Sequence, residues 1–165
     1  MTSIDLVKYK KQLTKEELDF LKKKESSDKR VLWRAARGLL ILCFVCPFFV
    51  AWIRALLGAE NPFSLFYYFL AVFFLMFLSG IGLYWSYTQH LQKIQKDIAS
   101  GTKTVEKTLI TRKQFMPTAG TYHVYTESPV KISIEVTEED YRSFHPGDTV
   151  FITYSTHSLQ YFGYF

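Results

Sequence analysis

Two long apolar runs without charge constrain this chain more than any other feature. Gly38–Ile53 contains no Asp, Glu, Lys or Arg, and neither does Asn61–Gln92. An α-helix rises 1.5 Å per residue, so about 20 residues cross a hydrocarbon core of about 30 Å. The runs therefore predict two transmembrane helices, over residues 35–57 and 63–87. A pair of buried helices in a soluble core is the alternative interpretation.

The link between the two runs, residues 58–62, is here named the connector. It contains Gly58 and Pro62, two residue types that break helices, and proline suits the first turn of the helix that follows. So short a link predicts an antiparallel helical hairpin. Aromatic residues of the kind found at membrane interfaces lie near the ends of both runs, namely Trp33, Trp52, Tyr84, Trp85 and Tyr87.

The positive charges predict the orientation of this hairpin. Residues 1–37 contain eleven Lys and Arg, and six more lie between Lys93 and Lys113, whereas only Arg54 lies near the connector. Because cytoplasmic flanks carry the excess of Lys and Arg, both termini are expected in the cytoplasm. The first run follows a polar segment and lacks a small-residue cleavage pattern, so no cleavable signal is expected. We predict an integral protein of a bacterial inner (plasma) membrane.

Residues 1–32 are predicted to form a basic, partly helical cytoplasmic segment. Thr14 and Glu17 have the spacing of a capping box, which predicts a helix start. Ser26–Asp28 either interrupts this helix or lies within one long helix that enters the first span. Seven basic residues approach the first run and are predicted to contact anionic lipid: Lys22, Lys23, Lys24, Lys29, Arg30, Arg34 and Arg37. Alternatively, they stay solvated and only set the topology.

Small residues mark a predicted helix-packing surface. Ser79, Gly82 and Ser86 recur along one side of the second run, and Ala51 and Ala55 lie four residues apart on the first. Small residues let helices approach closely in lipid. Two interpretations remain open: the two spans pack on each other, or the residues form a seam for a second copy or another membrane subunit.

The pattern changes from helical to extended after Ser100-Gly101. Residues 33–99 are predicted to be the transmembrane hairpin with a helical stem, and residues 100–165 a small all-β domain. Five strands are expected: Thr104–Arg112, Thr121–Thr126, Lys131–Val136, Thr149–Tyr154 and Ser158–Phe165. The fold class is therefore membrane α + β, a two-helix transmembrane hairpin followed by a small cytoplasmic β-barrel-like domain.

A turn in this β domain carries a resemblance to a known family. Pro146, Gly147 and Asp148 are predicted to form a structural turn between a short helical segment and an apolar strand. In this order of elements, residues 104–165 resemble the NfeD-type membrane proteins and other membrane-tethered proteins with an oligonucleotide-binding-type or SH3-like barrel. The resemblance implies a protein-interaction module without chemistry.

Chemical motifs are weak throughout the chain. His123, His145 and His157 lack the spacing of a zinc site, and Cys43 and Cys46 lie within an apolar run where nothing activates a thiolate. Residues 93–165 carry eight basic and eight acidic side chains, which argues against nucleic-acid binding. No cofactor or metal is predicted.

The leading prediction is a non-catalytic membrane protein whose hairpin anchors a protein-interaction or assembly module. Its expected partners are the lipid bilayer and a membrane-protein partner or a second copy of the chain. The first alternative is a subunit of an oligomeric channel or transporter. The second is a membrane-tethered enzyme that uses His123, His145 or His157.

Overall fold

The computed structural model describes residues 7–165, so the first six residues of the predicted N-terminal segment lie outside the described residues. The chain has two long apolar helices followed by an antiparallel sheet that curls into a half-barrel. This order confirms the predicted combination of helices and a β domain. Two compact units are present. The β unit contains the N-terminal residues up to Asp19 together with Lys96–Phe165, and the helical unit is Phe20–Gln95.

Six strands and four α-helices follow one another along the described chain. Their bounds are β1 (Lys8–Gln12), α1 (Lys15–Leu56), α2 (Leu65–Ser86), α3 (Gln92–Ser100), β2 (Thr102–Met116), β3 (Thr121–Thr126), β4 (Ser133–Val136), α4 (Glu138–Ser143), β5 (Thr149–Ser155) and β6 (Tyr161–Tyr164). A π-helical turn, Tyr87–Leu91, joins α2 to α3.

Helix α1 begins at the predicted capping box. The Thr14 backbone N–H donates to Glu17 Oε2 at 2.8 Å, and the Glu17 N–H donates to Thr14 Oγ1 at 3.3 Å. The helix continues through Ser26–Asp28 without a break, so the long-helix alternative is correct. After α3, Gly101 adopts a φ of +61° and its N–H bonds to the Asp97 carbonyl, which ends the helix as the sequence predicts.

Strand β2 organises the half-barrel, in the sheet order β4-β3-β2-β5-β6. Its first part pairs with β1 along one edge and with β5 along the other, and its last part pairs with β3. A register shift between Ile110 and Arg112 interrupts the pairing of β2 with β3. The core consists of Ile110, Val124, Ile134, Val136, Val150, Ile152 and Tyr154.

The sequence predicts five strands, and the structure has these five plus β1. Strand β1 pairs Lys8 with Glu106 and Gln12 with Thr102. All five of its residues are exposed, so it lacks the alternation of apolar and polar residues that indicates a half-buried strand. Its pairing depends on the backbone of β2, about a hundred residues away along the chain.

Candidate functional site

The most unusual surface of the molecule is the apolar surface of α1 and α2. In the most apolar 18-residue stretch of each helix, few residues are buried: 17% in the first helix and 6% in the second. Leu65 is 72% exposed and Phe73 is 71% exposed. A soluble protein rarely leaves so large a continuous apolar surface in water. By length and composition both helices are candidates to cross a membrane.

Two polar contacts join α1 to α2. Cys43 Sγ is 3.5 Å from Ser79 Oγ, and Tyr68 donates from its hydroxyl to the Phe44 carbonyl at 3.1 Å. Of the predicted helix-packing residues, Ser79 is therefore in a helix-helix contact, and Ala51 is buried.

The other predicted packing residues lie elsewhere. Ala55 is half-buried, whereas Gly82 and Ser86 are exposed. A Cβ atom added at Gly82 would meet nothing within 4 Å. These two positions are accessible within the helical unit, and their role in packing stays a prediction.

The predicted lipid-contacting residues lie along α1 before its apolar portion. Lys24 is half-buried and the other six are exposed. Lys29 forms an ion pair with Glu25 at 2.8 Å, and the Arg37 guanidinium lies 5.5 Å from the centroid of the Trp33 ring. The exposed cations can contact an anionic surface, because a surface ion pair holds its cation only weakly.

A hydrogen-bond chain links α1 to α3 beyond the apolar portions. The Tyr87 hydroxyl donates to Gln95 Oε1 at 3.2 Å, and Gln95 Nε2 donates to Glu25 Oε1 at 3.0 Å. Hydrogen bonds from Lys29 and Gln95 hold the pKa of Glu25 below its usual value. Tyr87 belongs to the π-helical turn, and such turns often mark functional positions in helices.

The interior of the half-barrel contains a buried carboxylate that the sequence does not reveal. Glu106 is fully buried in β2 and accepts a hydrogen bond from the Tyr154 hydroxyl at 2.6 Å. Lys8 Nζ lies 3.3 Å from the same carboxylate oxygen. Among residues 7–165, the other oxygen, Oε1, has no hydrogen-bond partner, and the same holds for the Thr108 and Tyr161 hydroxyls. Burial and the Glu106 carboxylate raise the pKa of Tyr154, and burial raises that of Tyr161 to about 12.

A second buried carboxylate, Asp97 of α3, holds the turn after β5. It accepts four hydrogen bonds of 2.6–2.8 Å, from the backbone N–H and Nδ1 of His157 and from the N–H and hydroxyl of Ser158. Burial alone would raise the pKa of Asp97, but these hydrogen bonds outweigh it, so the pKa lies below its usual value. His157 remains partly exposed, and the arrangement fixes the turn.

An ion pair ties the start of α1 to β2 within the β unit. Lys103 Nζ lies 2.5 Å from Glu17 Oε1, and both side chains are largely buried. Burial opposes ionisation of Glu17, but the hydrogen bonds from Lys103 and Thr14 lower its pKa overall. Glu17 therefore caps its own helix and neutralises a buried lysine.

The predicted turn residues precede β5. Gly147 adopts a φ of +97°, which L side chains rarely adopt, and its N–H donates to the Ile110 carbonyl at 2.8 Å. Asp148 Oδ2 accepts a hydrogen bond from the His145 backbone N–H at 2.7 Å. Pro146 lies between these groups in the turn. The contacts described for this turn join it to β2.

The three histidines have different partners and form no common centre. His123 lies within hydrogen-bond distance of the Thr121 and Ser133 hydroxyls, whereas His145 and His157 contact Asp148 and Asp97 respectively. Within residues 7–165, no group of three or more His, Cys, Asp or Glu side chains could hold a metal ion. Cys43 and Cys46 are free thiols.

An aromatic surface, here named the aromatic ladder, lies on β2, β3 and α4. Its rings are Phe115, Tyr122 and Tyr141, with centroid separations of 4.8 Å and 4.9 Å. Lys113 Nζ lies 4.5 Å from the Tyr141 ring centroid. Phe115 is 45% exposed, and the two tyrosines are half-buried against the core. Aromatic side chains that are accessible and pack on other residues often contribute a large share of the binding energy of protein interfaces.

Comparisons of the chain with protein-family models, with curated proteins and with solved structures found no match. The resemblance of residues 104–165 to the NfeD-type membrane proteins stays a prediction.

Proposed function

We propose that this chain is a non-catalytic integral membrane protein. Its helical hairpin anchors it, and its β half-barrel acts in the cytoplasm as a protein-interaction or assembly module. The exposed apolar surface of α1 and α2 is the observation that carries the proposal, because a soluble core helix would be mostly buried.

Helix lengths support this assignment. Gly38–Leu56 has 19 residues and Leu65–Ser86 has 22, which at 1.5 Å per residue correspond to about 28 Å and about 33 Å. Both values match a hydrocarbon core of about 30 Å. The basic residues before the first apolar portion support an anionic cytoplasmic leaflet as the contacting surface.

Cysteine labelling tests the anchor and its orientation. In a variant with Cys43→Ala and Cys46→Ala, single cysteines are placed by Asn61→Cys, Ser26→Cys and Thr118→Cys, all at exposed positions. On intact cells, a membrane-impermeant maleimide should label only Asn61→Cys. On inverted vesicles it should label the other two. Release of the protein by alkaline carbonate, or labelling of the two ends from opposite sides, would refute the proposal.

The aromatic ladder supports an interaction role for the half-barrel. Aromatic residues dominate the energetics of many interfaces, and Phe115 already stacks on a supported ring. The full chain should retain a protein partner or a second copy when purified in mild detergent. Phe115→Ala should weaken this retention. Phe165→Ala is the matched control, because Phe165 is also exposed and stacks on one ring, that of Phe151 at 5.4 Å. A monomer without any partner in several detergents would contradict the interaction role.

A channel or transporter subunit is the second candidate, supported by the exposure of Gly82 and Ser86 on α2. An exposed small residue permits close approach of a helix from another chain. Ion flux in reconstituted vesicles that is lost with Gly82→Leu would favour this candidate. A folded oligomer without flux would argue against it.

A further inference from the structure

A cleft opens between α1 and α2 near the connector. Its volume is about 400 Å³, which lies in the usual range of ligand pockets. Its inner part is apolar: Pro47, Val50 and Ala51 line it from α1, and Ala71 and Phe74 line it from α2. Small side chains and a proline on α1 leave the space that larger side chains would otherwise fill.

A second, polar cavity of about 650 Å³ continues from this cleft toward the connector. The two cavities share Arg54, Pro62, Ser64 and Tyr67 in their linings, so one path leads from the polar mouth to the apolar interior. A space that is apolar at one end and polar at the other fits an amphiphile.

The mouth contains one cation and one anion, Arg54 and Glu60. They are the only charged residues between Gly38 and Gln92. Within the described chain neither forms an ion pair, with the other or with any other residue. Both side chains are exposed at the mouth, where they are free to pair with a ligand that carries one negative and one positive group.

We propose that this cleft binds one aminophospholipid, with an acyl chain between α1 and α2. Arg54 holds the lipid phosphate, because guanidinium donates two parallel hydrogen bonds to phosphate oxygens. Glu60 accepts hydrogen bonds from the primary ammonium of the headgroup. The inference rests on the proposed membrane anchor, and it adds a specific lipid site on the connector side.

Lipid titration of the purified, delipidated full chain tests the proposal. Native mass spectrometry would compare phosphatidylethanolamine, phosphatidylcholine and phosphatidylglycerol with identical acyl chains. Phosphatidylethanolamine should bind most tightly. Arg54→Gln should weaken binding of all three lipids about tenfold, because all share the phosphate. Glu60→Gln should remove the preference for phosphatidylethanolamine over phosphatidylcholine, whose trimethylammonium group donates no N–H hydrogen bond.

Matched variants keep the outcome decisive. Arg142→Gln, on α4 outside the helical unit, should leave all three affinities unchanged. Ala71→Phe should fill the cleft and weaken all three. Equal affinity for the three lipids, a preference for phosphatidylglycerol, or an Arg54→Gln variant that binds like the original would overturn the inference. If the protein resists carbonate extraction in these cases, only the lipid site fails. If carbonate releases it, the membrane anchor fails.

Discussion

The helical unit and the β unit place their apolar side chains in opposite environments. In the half-barrel, Ile134 and Ile152 are 0% exposed and pack within a single core. In the helical unit, Leu65 and Phe73 project from α2 with more than two thirds of their surface uncovered, at 72% and 71% exposed. The half-barrel thus covers its apolar side chains internally, whereas many apolar side chains of the hairpin are not covered by the described chain.

The two units also differ in their buried polar groups. The β unit fully buries Asp97 and Glu106, and each carboxylate accepts short hydrogen bonds. In the helical unit, the chain Tyr87–Gln95–Glu25 lies beyond the apolar portion of α1. Buried polar groups therefore help to fix the geometry of the half-barrel, whereas the hydrogen-bond chain from Tyr87 to Glu25 in the helical unit lies outside the apolar portion of α1.

One alanine substitution in each unit should reveal the largest difference in stability between the units. Ile152→Ala should destabilise the half-barrel by about 2–5 kcal/mol, because it opens a cavity in a closed core. Phe73→Ala should change the free energy of unfolding by no more than about 0.5 kcal/mol, since its ring has few partners in the folded chain. Urea unfolding of the full chain in mild detergent, followed by circular dichroism, measures both. Equal losses would mean that the hairpin is packed as tightly as the half-barrel.

The hairpin could be predicted from sequence because its signal is local. An uncharged apolar run of sufficient length predicts a long apolar helix without information from the rest of the chain. Helix α1 ends at Leu56, close to the predicted end at residue 57. Strand β1 was not predicted because Lys8, Lys10 and Lys11 leave it without an apolar-polar alternation. Its pairing partner, β2, is also distant in sequence. The roles of Asp97 and Glu106 also escaped prediction, since carboxylates are usually exposed and their partners lie about 50 to 60 residues away.

Asp97→Asn should cost the β unit about 1.5–3 kcal/mol at neutral pH, because hydrogen bonds to a buried charge are lost or weakened. The effect should depend on pH with a defined sign. Since the folded-state pKa of Asp97 lies below the usual value of 3.8, its stabilisation is present above that value and disappears as the pH falls through the folded-state pKa. The difference in urea midpoint between the two proteins should therefore shrink on acidification from pH 5 to about pH 2.

The test of Asp97 needs a second carboxylate whose pKa is also lowered by hydrogen bonds but which is less buried. Hydrogen bonds from Tyr164 and Thr137 lower the pKa of Asp140, which is at the surface on α4. Asp140→Asn should leave the acid-induced loss attributable to Asp97 intact. A variant Asp97→Asn with the same pH profile as the original chain would show that this carboxylate does not control the turn.

Two tyrosines of the half-barrel, Tyr154 and Tyr161, should respond differently to loss of their hydroxyls. Tyr154→Phe should destabilise the half-barrel by about 1–3 kcal/mol, because Glu106 loses its short hydrogen bond while it stays buried. Tyr161→Phe should be neutral or slightly stabilising, since its buried hydroxyl has no hydrogen-bond partner in the part of the chain that the structure describes. Thermal unfolding in detergent measures both. A destabilising Tyr161→Phe would reveal a bonded partner for that hydroxyl.

Alkaline pH extends the same comparison of tyrosines. Burial raises the pKa of Tyr161 to about 12, so the folded chain ionises this hydroxyl at higher pH than the unfolded chain and loses stability as the pH rises from the ordinary pKa of 10 toward 12. Tyr161→Phe should therefore lose less stability than the original chain over this range. An identical loss in both proteins would place the responsible ionisation elsewhere.

The smallest expected effect concerns the ion pairs on the surfaces of the two units. Arg142 and Glu138 pair on α4 with both side chains largely exposed, whereas Lys29 pairs with a Glu25 carboxylate that Gln95 also holds. Arg142→Ala should cost about 0.3–0.5 kcal/mol, the usual value for an exposed pair four residues apart on a helix. Lys29→Ala should cost somewhat more, because its partner is only 19% exposed and less screened by salt. Unfolding at low and high ionic strength separates the two: added salt should abolish the Arg142→Ala effect and leave part of the Lys29→Ala effect. Equal sensitivity to salt would show that Gln95 does not shield the Glu25 pair, and the polar link between α1 and α3 would then be as exposed as the surface of α4.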